Sequence, residues 1–312
     1  MQVGGDPNAV LKDLHATFED TVQQVRPSLV PKLCQTVPSD GAYEKYVFPT
    51  AVAQPRQFSD ERVPTGVDVV STYQLNNNTY ELTLDFDGDL LADARAYNLA
   101  ELVREAAMSA VLYPDYLLSS VVAAGVTAGS NAYDGNTFYG DTHLYGSAGA
   151  NNIDNKLAGS GTTLANLQTD IGAAIAALRG YKDNAGRLIN QQLAEGKGQL
   201  LLQCPLAMEM DFRRALNTAW LPVLTGASGE NVLQGVSDII ADGYLTDAND
   251  WYLHYVGLPL RPYVFQERSP LVSKVLGYDS EFYTNTRKIR IAAEMRFKIG
   301  YFGFYRSVLT VN

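Results

Sequence analysis

The most regular pattern along the chain is an alternation of apolar and polar residues near its end. From 288 to 299, Ile, Ala, Met and Phe at odd positions alternate with Lys, Arg, Ala and Glu at even positions. A period of two sends successive side chains to opposite faces of a strand. The same period occurs from Tyr80 to Asp87. The sequence therefore predicts a long amphipathic strand or hairpin near the carboxyl end, and another strand with one wet face at 80–87.

Two segments have the period of an α-helix instead. The first extends over residues 90–125, and Pro114 within it either kinks the helix or begins a new one. Its predicted apolar face consists of Leu99, Leu102, Val103, Ala106 and Ala110. The second extends over 164–178, with a threonine cap before it and Gly180 after it. We therefore predict one long helix or bent pair, followed by a shorter helix.

The first third of the chain lacks the features of a compact domain. An amphipathic stretch at 7–25 has apolar residues at near-helical spacing, and Pro27 and Pro31 end it. It has too little apolar surface for a core of its own, so we expect it to lie against something else. Residues 36–79 are rich in Pro, Gly, Ser, Asn and charge. A long polar excursion of this kind is uncommon in a compact domain and usually reaches a partner or a ligand.

The remaining segments mix strands and helices. The stretch "QLLLQCP" predicts a buried strand, and "LAMEMDFRRALNTA" after it predicts a helix. Residues 221–285 are predicted to be irregular, with short strands such as "YLHYVGLPLRPYVFQ". The order of elements contains no βαβ repeat and no internal sequence repeat. This arrangement indicates the α+β class.

Composition limits the partners and the location. The chain of 312 residues is 46% hydrophobic and carries a formal net charge of −10, which indicates a folded, acidic protein. Because it has no block of Lys and Arg, we expect no basic face that grips phosphates directly. Cys34 and Cys204 fit no metal or redox motif and are expected to be buried, reduced thiols. No signal peptide is recognised, and no unbroken apolar run approaches the roughly 18 residues of a membrane span.

The stretch "YDGNTFYGDTHLYG" contains the most suggestive chemistry. Asp134, Asp141 and His143 could bind a metal ion, because carboxylate and imidazole are suitable ligands. A metal-dependent hydrolase is therefore one alternative function, and it would need further ligands such as His254 or Asp250. However, the spacing matches no metal motif, and we favour a series of turns in which Asp, Asn and Gly satisfy the backbone. We predict no catalytic residue, no cofactor and no metal site.

A second alternative is a monomeric ligand-binding protein that uses the aromatic side chains of this loop. The chain contains 19 tyrosines, which permits such a site. Neither alternative assigns a role to the polar excursion at 36–79 or to the amino-terminal stretch that has no core of its own. Assembly with other chains would use both segments, because each is expected to reach beyond its own compact domain.

The same stretch resembles a segment of the Mu-like phage major head subunit family, where it precedes a Gly/Ser/Asn-rich loop and a helix. Other stretches resemble that family in the same order. They are "VPSDGAYEKY", "PRQFSDERV" and "NNTYELTLDFD" before it, and "LLLQCPLAMEMDFRRAL", "LRPYVFQERSP" and "RIAAEMRFKIGYFGFYR" after it. The resemblance extends over residues 15–306. It departs from the family at Cys204–Pro205, where two prolines are common.

This family is similar to the HK97-type major capsid proteins, and the resemblance implies their α+β fold. It implies an N-terminal arm (1–38), an extended loop or E-loop (39–90) and a peripheral domain with a long spine helix (91–204). An axial domain (205–285) and return strands of the peripheral domain (286–312) would complete the chain. The implied protein is the major capsid protein of a tailed double-stranded DNA bacteriophage or prophage, a structural protein and not an enzyme.

Function under this resemblance is self-assembly. Copies would form pentamers and hexamers of an icosahedral shell in the host cytoplasm, and the shell would enclose DNA without sequence-specific binding. Separate scaffold, portal and decoration proteins are expected further partners, and a membrane is not. The candidates for intersubunit ion pairs are Arg56, Asp60, Glu61 and Arg62 in the E-loop. The alternative is a solvated loop tip, in which each pair contributes about 0–1 kcal/mol.

Overall fold

The computed structural model describes residues 7–49, 55, 57–58, 61–62, 69–89, 99–145, 152–183, 186–196, 199–222, 228–257 and 260–312. Its helices are α1 (Pro7–Gln24), α2 (Val30–Leu33), α3 (Leu99–Ala124), α4 (Leu164–Gly180), α5 (Gln191–Ala194), α6 (Glu209–Asn217) and α7 (Glu281–Thr286). The first eight strands are β1 (Cys34–Pro38), β2 (Tyr43–Pro49), β3 (Val69–Asn76), β4 (Asn78–Asp87), β5 (His143–Leu144), β6 (Asn152–Ile153), β7 (Lys156–Ala158) and β8 (Leu200–Pro205). The others are β9 (Trp220–Pro222), β10 (Ser228–Glu230), β11 (Asp238–Asp242), β12 (Trp251–Tyr255), β13 (Tyr263–Leu276), β14 (Lys288–Tyr301) and β15 (Ser307–Val311).

The alternating segments form a sheet of four strands in the order β1-β13-β14-β4. β14 pairs antiparallel with β13 on one side and with β4 on the other. Its odd-numbered residues from Ile289 to Ile299 are buried, whereas the residues between them are exposed or half-buried. The predicted strands at 80–87 and 288–299 are therefore confirmed, each with one face toward the core.

The amino-terminal helix α1 packs on its own chain. Leu11, Leu14 and Phe18 are buried in a small core that also contains Val103 of α3 and Ile291 of β14. Spacings of three and four residues place these side chains on one face of α1. The prediction that this stretch lies against another part of the structure is confirmed. It packs on α3 and on the four-stranded sheet of the same chain.

Helix α3 continues through Pro114 without a break, so the bent pair is not formed. The predicted apolar face was partly wrong, because Leu102 is 53% exposed and the buried face consists of other positions. The buried hydrophobic residues of α3 are Val103, Ala107, Ala110, Leu118 and Val122. The difference arises because α3 packs on two separate cores, so the buried stripe follows its neighbours and not the largest side chains.

By length and composition alone, α3 is long and apolar enough to cross a membrane, and it is the one such helix among the described residues. A core helix of a folded domain passes the same test. The sequence predicted no membrane span, because no apolar run is long enough; within α3 the charged residue Asp115 interrupts the apolar run. Asp115 and Leu118 lie on the packed face of the helix, where both are buried. We therefore interpret α3 as a core helix.

A second sheet has five strands in the order β11-β8-β12-β15-β7. β8 is buried along its whole length, as predicted, and α4 and α6 pack close to this sheet around the larger core. Thr163 caps α4, because its side chain accepts a hydrogen bond from the Asn166 backbone N–H. Both cysteines are buried and free, as expected.

Strand pairing divides the chain differently from the predicted boundaries in two places. Residues 263–276 were assigned to the irregular axial segment, but they form the long strand β13, paired with β14 and β1. Residues 307–311 were assigned to the peripheral return strands, but β15 pairs with β12 and β7 in the five-stranded sheet. The pairings of β13 with β1 and of β15 with β12 and β7 join residues that are distant in sequence, which local patterns do not reveal.

Candidate functional site

The loop with the suggestive Asp/His chemistry is folded around a buried histidine. His143 is 0% exposed; its Nδ1 lies 2.7 Å from Asp134 Oδ2, and its Nε2 lies 3.1 Å from the Phe138 carbonyl oxygen. Its ring stacks on Phe304 with centroids 4.1 Å apart. Asp141 is exposed, and its backbone oxygen accepts a hydrogen bond from the Asn152 side chain. The contact between Asp134 and His143 therefore fixes the loop against the core, and Asp141 takes no part in that contact.

The residues proposed for a hydrolase are not brought together. Asp250 accepts a hydrogen bond from the Asn312 backbone N–H at 3.1 Å. His254 has both ring nitrogens occupied by Gln203 and Ser307. Within the described ranges, no group of three or more His, Cys, Asp or Glu side chains could hold a metal ion. The interpretation of the loop as a structural turn fits this geometry.

We expect His143→Ala to lower the free energy of unfolding by about 2–3 kcal/mol, because it removes a buried ring, its stacking and its hydrogen bonds. Asp141→Ala is the matched control and should change it by less than about 0.5 kcal/mol. Chemical denaturation with and without a chelator measures both effects. A metal site would instead make both substitutions costly and would make the wild-type protein sensitive to the chelator.

A chain of buried hydrogen bonds links the two sheets and the loop. Its members are Tyr263, Tyr139, Ser307, His254, Gln203 and Asp242, in that order. Gln203 donates its amide N–H to Asp242 at 2.6 Å, so its Oε1 accepts from His254 Nε2 at 3.0 Å. His254 Nδ1 then accepts from the Ser307 hydroxyl at 2.9 Å. These contacts select one neutral tautomer of His254.

The electrostatics of this chain agree with the same assignment. Complete burial lowers the pKa of His254 to about 3. Burial also raises the pKa of Tyr139 and Tyr263 well above the usual range, so both keep their hydroxyl protons. Ser307 and His254 resemble a nucleophile and its base, but both are 0% exposed. Because a substrate has no access to them, their arrangement stabilises the fold.

Asp115 of α3 holds the segment between α1 and β1, and the sequence contained no signal for it. Its Oδ2 accepts the backbone N–H of Ser28 at 2.5 Å and of Leu29 at 3.1 Å, and its Oδ1 accepts that of Val30 at 2.9 Å. These donors belong to the start of α2, whose own residues supply no side-chain cap. A single carboxylate thus fixes the amino-terminal segment to the spine of the subunit.

The β2–β3 hairpin of the predicted E-loop is anchored at its base. Phe48 stacks on Tyr133 with centroids 4.0 Å apart, and the Tyr46 hydroxyl donates to Gln266 at 3.0 Å. Leu75 packs so close to Gly300 that a Cβ there would lie 2.5 Å from a Leu75 methyl carbon, which explains the glycine. Both strands of the hairpin therefore pack on their own subunit at these positions.

The four predicted contact charges lie between β2 and β3. Arg56 and Asp60 are outside the described residues. Glu61 and Arg62 are exposed, and neither forms an ion pair with the parts of the chain that the structure describes. An intersubunit role for these charges therefore stays a prediction.

Three solved assemblies share the arrangement of the whole chain. The procapsid protein of bacteriophage JBD30 is 17% identical, with a TM-score of 0.53 over 97% of this chain and 75% of that one. The virus-like particle from Pyrococcus furiosus is 12% identical, with a TM-score of 0.56 over 96% and 98%. The mature capsid of bacteriophage PhiM1 is 8% identical, with a TM-score of 0.56 over 92% and 87%. At these identities the likeness shows the fold, which is the HK97-type capsid fold.

The sequence itself identifies the family. No curated protein matches the chain. The model of the family "Mu-like prophage major head subunit gpT" matches residues 8–178, more than half of the chain. That match includes α1, the E-loop hairpin, α3 and the Asp134–His143 loop. The chain therefore belongs to the Mu-like prophage major head subunit gpT family and is a phage major capsid protein, a structural protein of the head shell and not an enzyme.

Proposed function

We propose that the chain assembles into rings of five and six copies that close an icosahedral shell around double-stranded DNA. The observation that carries this proposal is the match of the major head subunit family over residues 8–178. Heterologous contacts repeated by rotation close rings, and several weak contacts per copy make the assembly stable through avidity. Assembly takes place in the host cytoplasm, and the acidic chain encloses DNA without binding a particular sequence.

We propose the following domain assignment for this shell protein. The arm is 1–38, the E-loop 39–90, the peripheral domain 91–204, the axial domain 205–285, and 286–312 returns to the peripheral domain. The strand pairing described above supports two adjustments, which group β13 with the peripheral sheet and β15 with the sheet of β8 and β12. Scaffold, portal and decoration proteins are proposed as separate partners.

We propose that the E-loop charges Arg56, Asp60, Glu61 and Arg62 contact a neighbouring copy. The anchored base of the β2–β3 hairpin supports this role, because a rigid base can carry a connecting segment away from its own subunit. Each exposed ion pair contributes little, about 0–1 kcal/mol. Repetition in every copy of the shell multiplies that contribution.

Expression of the full chain alone tests the proposal. We expect size-exclusion chromatography and negative-stain images to show rings, tubes or closed shells in addition to free subunits. Neutralising all four E-loop charges (Arg56→Gln, Asp60→Asn, Glu61→Gln, Arg62→Gln) should raise the subunit concentration needed for assembly by about fivefold or more, since 1 kcal/mol corresponds to that factor. A monomer at every concentration would contradict self-assembly, and an unchanged threshold in the variant would contradict the role of the charges.

A further inference from the structure

The β2–β3 hairpin joins the rest of the subunit through two short connections. β1 leads into β2 through residues 39–42, and β3 leads into β4 through the single residue Asn77. Among the described strands, β2 and β3 form a sheet of their own and do not pair with the four-stranded sheet. Two strands alone are only marginally stable in water. The orientation of the hairpin therefore depends on contacts at these connections and along its inner face.

Hydrogen-bonded side chains form a ring at these connections, and we call it the root ring. Its members, in the order in which each donates to the next, are Tyr46, Gln266, Asn77, Ser39 and Glu44. The successive donor–acceptor distances are 3.0, 2.7, 2.8 and 2.8 Å. Glu44 and Tyr46 are two residues apart on β2, so both lie on the same face of that strand. The series of hydrogen bonds thus begins and ends on β2 and passes through both connections.

Gln266 of β13 is the member that joins both strands of the hairpin to the long sheet, and it is 0% exposed. Its Nε2 donates to Asn77 Oδ1 at 2.7 Å and to the Leu75 carbonyl oxygen at 3.3 Å. Its Oε1 accepts from the Tyr46 hydroxyl at 3.0 Å. Both amide hydrogens and the amide oxygen are used, so these contacts select one orientation of the amide. One buried side chain therefore contacts β2, β3 and the residue that leads into β4.

The root ring also orders the polar connection at 39–42. Glu44 Oε1 accepts the backbone N–H groups of Asp40 and Gly41 at 3.2 and 3.4 Å, in addition to the Ser39 hydroxyl. Asn77 Nδ2 donates its second hydrogen to the Gly41 carbonyl oxygen at 3.0 Å. The hydrogen bond from Ser39 is the largest cause that lowers the pKa of Glu44, and an ionised carboxylate accepts stronger hydrogen bonds. These bonds fix the backbone of a segment whose glycine would otherwise leave it free to rotate.

Apolar contacts and hydrogen bonds have different effects on the hairpin. The contacts of Phe48 with Tyr133 and of Leu75 with Gly300 attach its inner face to the subunit. Apolar attraction is non-directional, so it permits small shifts and tilts of a strand. A hydrogen bond weakens steeply away from its preferred distance and angle, and a buried polar group that loses its partner is costly. The root ring is therefore the part of the contact that can select one orientation.

We propose that the root ring fixes the orientation of the E-loop hairpin in the free subunit, and that Gln266 is the positioning residue for the contact of the E-loop with a neighbouring copy. The inference rests on the proposed function, in which the E-loop reaches that copy. A hairpin that is ordered before assembly loses little conformational freedom on docking, so more of the contact energy contributes to affinity. The alternative is a hairpin that takes one orientation only when a neighbouring copy binds it.

Distances between spin labels on the hairpin and on the long sheet test the fixed orientation in the free subunit. Val47→Cys on β2 and Val272→Cys on β13 place the labels at exposed positions, and Cys34 and Cys204 are buried. Below the concentration needed for assembly, we expect one narrow distance distribution. Gln266→Met keeps a side chain of similar length but removes its hydrogen bonds, so the distribution should become about twofold wider or more. A merely stabilising role would lower the unfolding midpoint and leave the distribution narrow.

Assembly of the same variants without labels tests the positioning role. Gln266→Met should raise the subunit concentration needed for assembly about tenfold or more, because the hairpin must then be ordered at each contact. Tyr46→Phe removes one hydrogen bond of the root ring and keeps the aromatic ring, so we expect the same changes at a smaller size, about threefold. Gln74→Met is the matched control, because Gln74 is exposed on β3 and bonds to the side chain of Asn76. It should keep the narrow distribution and assemble within about twofold of the wild type.

Each outcome decides one part of the proposal. A broad distribution in the wild-type subunit would overturn the fixed orientation. Distributions as narrow as the wild type in the folded variants, Tyr46→Phe included, would overturn the role of the root ring. A wider distribution without a higher concentration for assembly would overturn the positioning role of Gln266. Failure of the wild type to assemble would overturn the proposed function itself, and the distance distributions of the subunit would still show whether the root ring fixes the hairpin.

Discussion

Replacing Asp115 by alanine is expected to lower the free energy of unfolding by about 3–4 kcal/mol. The carboxylate accepts the backbone N–H groups of Ser28, Leu29 and Val30 and is itself only 6% exposed. Removal leaves buried donors without partners, and each unsatisfied group costs about 1–3 kcal/mol. Chemical denaturation measures the loss, and hydrogen exchange should show faster exchange of the amides at 28–30.

Two further substitutions make this result specific. Asp115→Asn keeps one acceptor oxygen but loses the charge, so we expect a loss of about half the size. Ser120→Ala is the matched control on the same helix, because Ser120 is exposed and bonds only to the Tyr116 carbonyl oxygen. It should change the stability by less than about 0.5 kcal/mol. Equal effects of Asp115→Ala and Ser120→Ala would show that Asp115 does not hold the amino-terminal segment.

Acidification is expected to destabilise the subunit through His254. The unfolded chain protonates this histidine near its ordinary pKa of 6.5, whereas burial lowers the folded pKa to about 3. Between these values the unfolded state binds the additional proton, so stability rises with pH. The contribution of His254 is therefore fully present above pH 6.5 and is lost as pH falls toward 3. The shift corresponds to a loss of about 5 kcal/mol.

Comparison with His254→Gln isolates this effect from that of the carboxylates. Glutamine can donate to Gln203 and accept from Ser307, but it has no proton to gain in this range. Unfolding free energies of both proteins should be measured from pH 7 to pH 4, at subunit concentrations below the assembly threshold. We expect the wild-type advantage to shrink steadily as the pH falls. A constant difference across this range would mean that His254 is not held neutral.

Local patterns predicted a helix or strand correctly where that element buries one face against a broad surface. The alternation at 288–299 and the helical period at 164–178 correspond to β14 and α4 almost residue for residue. In both cases each apolar residue of the pattern faces the core. The turn interpretation of the Asp134–His143 loop followed from the same kind of local reasoning, because its Asp, Asn and Gly positions suited turns better than any metal motif.

Local patterns failed where distant segments decide burial. Residues 221–285 were predicted to be irregular with short strands, and one of these, "YVFQ", is only the beginning of the 14-residue strand β13, which contains Pro270. It is ordered by pairing with β14, and its register shifts next to that proline. The prediction that Leu102 of α3 faces the core was wrong for a related reason. The packing of α1 and of the sheet on α3 buries Val103 and Ala107 instead. The residues next to Pro270 or Leu102 in the sequence do not show which strand pairs with β13 or which elements pack on α3.

The amino-acid sequence by itself determined the period of each main element, the low density of cations and the family of the protein. These properties depend on the order of residues along the chain, and adjacent positions are enough to reveal them. The tertiary structure alone decided which polar groups meet: Asp115 with the start of α2, and His254 with Gln203 and Ser307. Such contacts join residues tens of positions apart, and their energies depend on distance and burial, which a linear pattern does not contain.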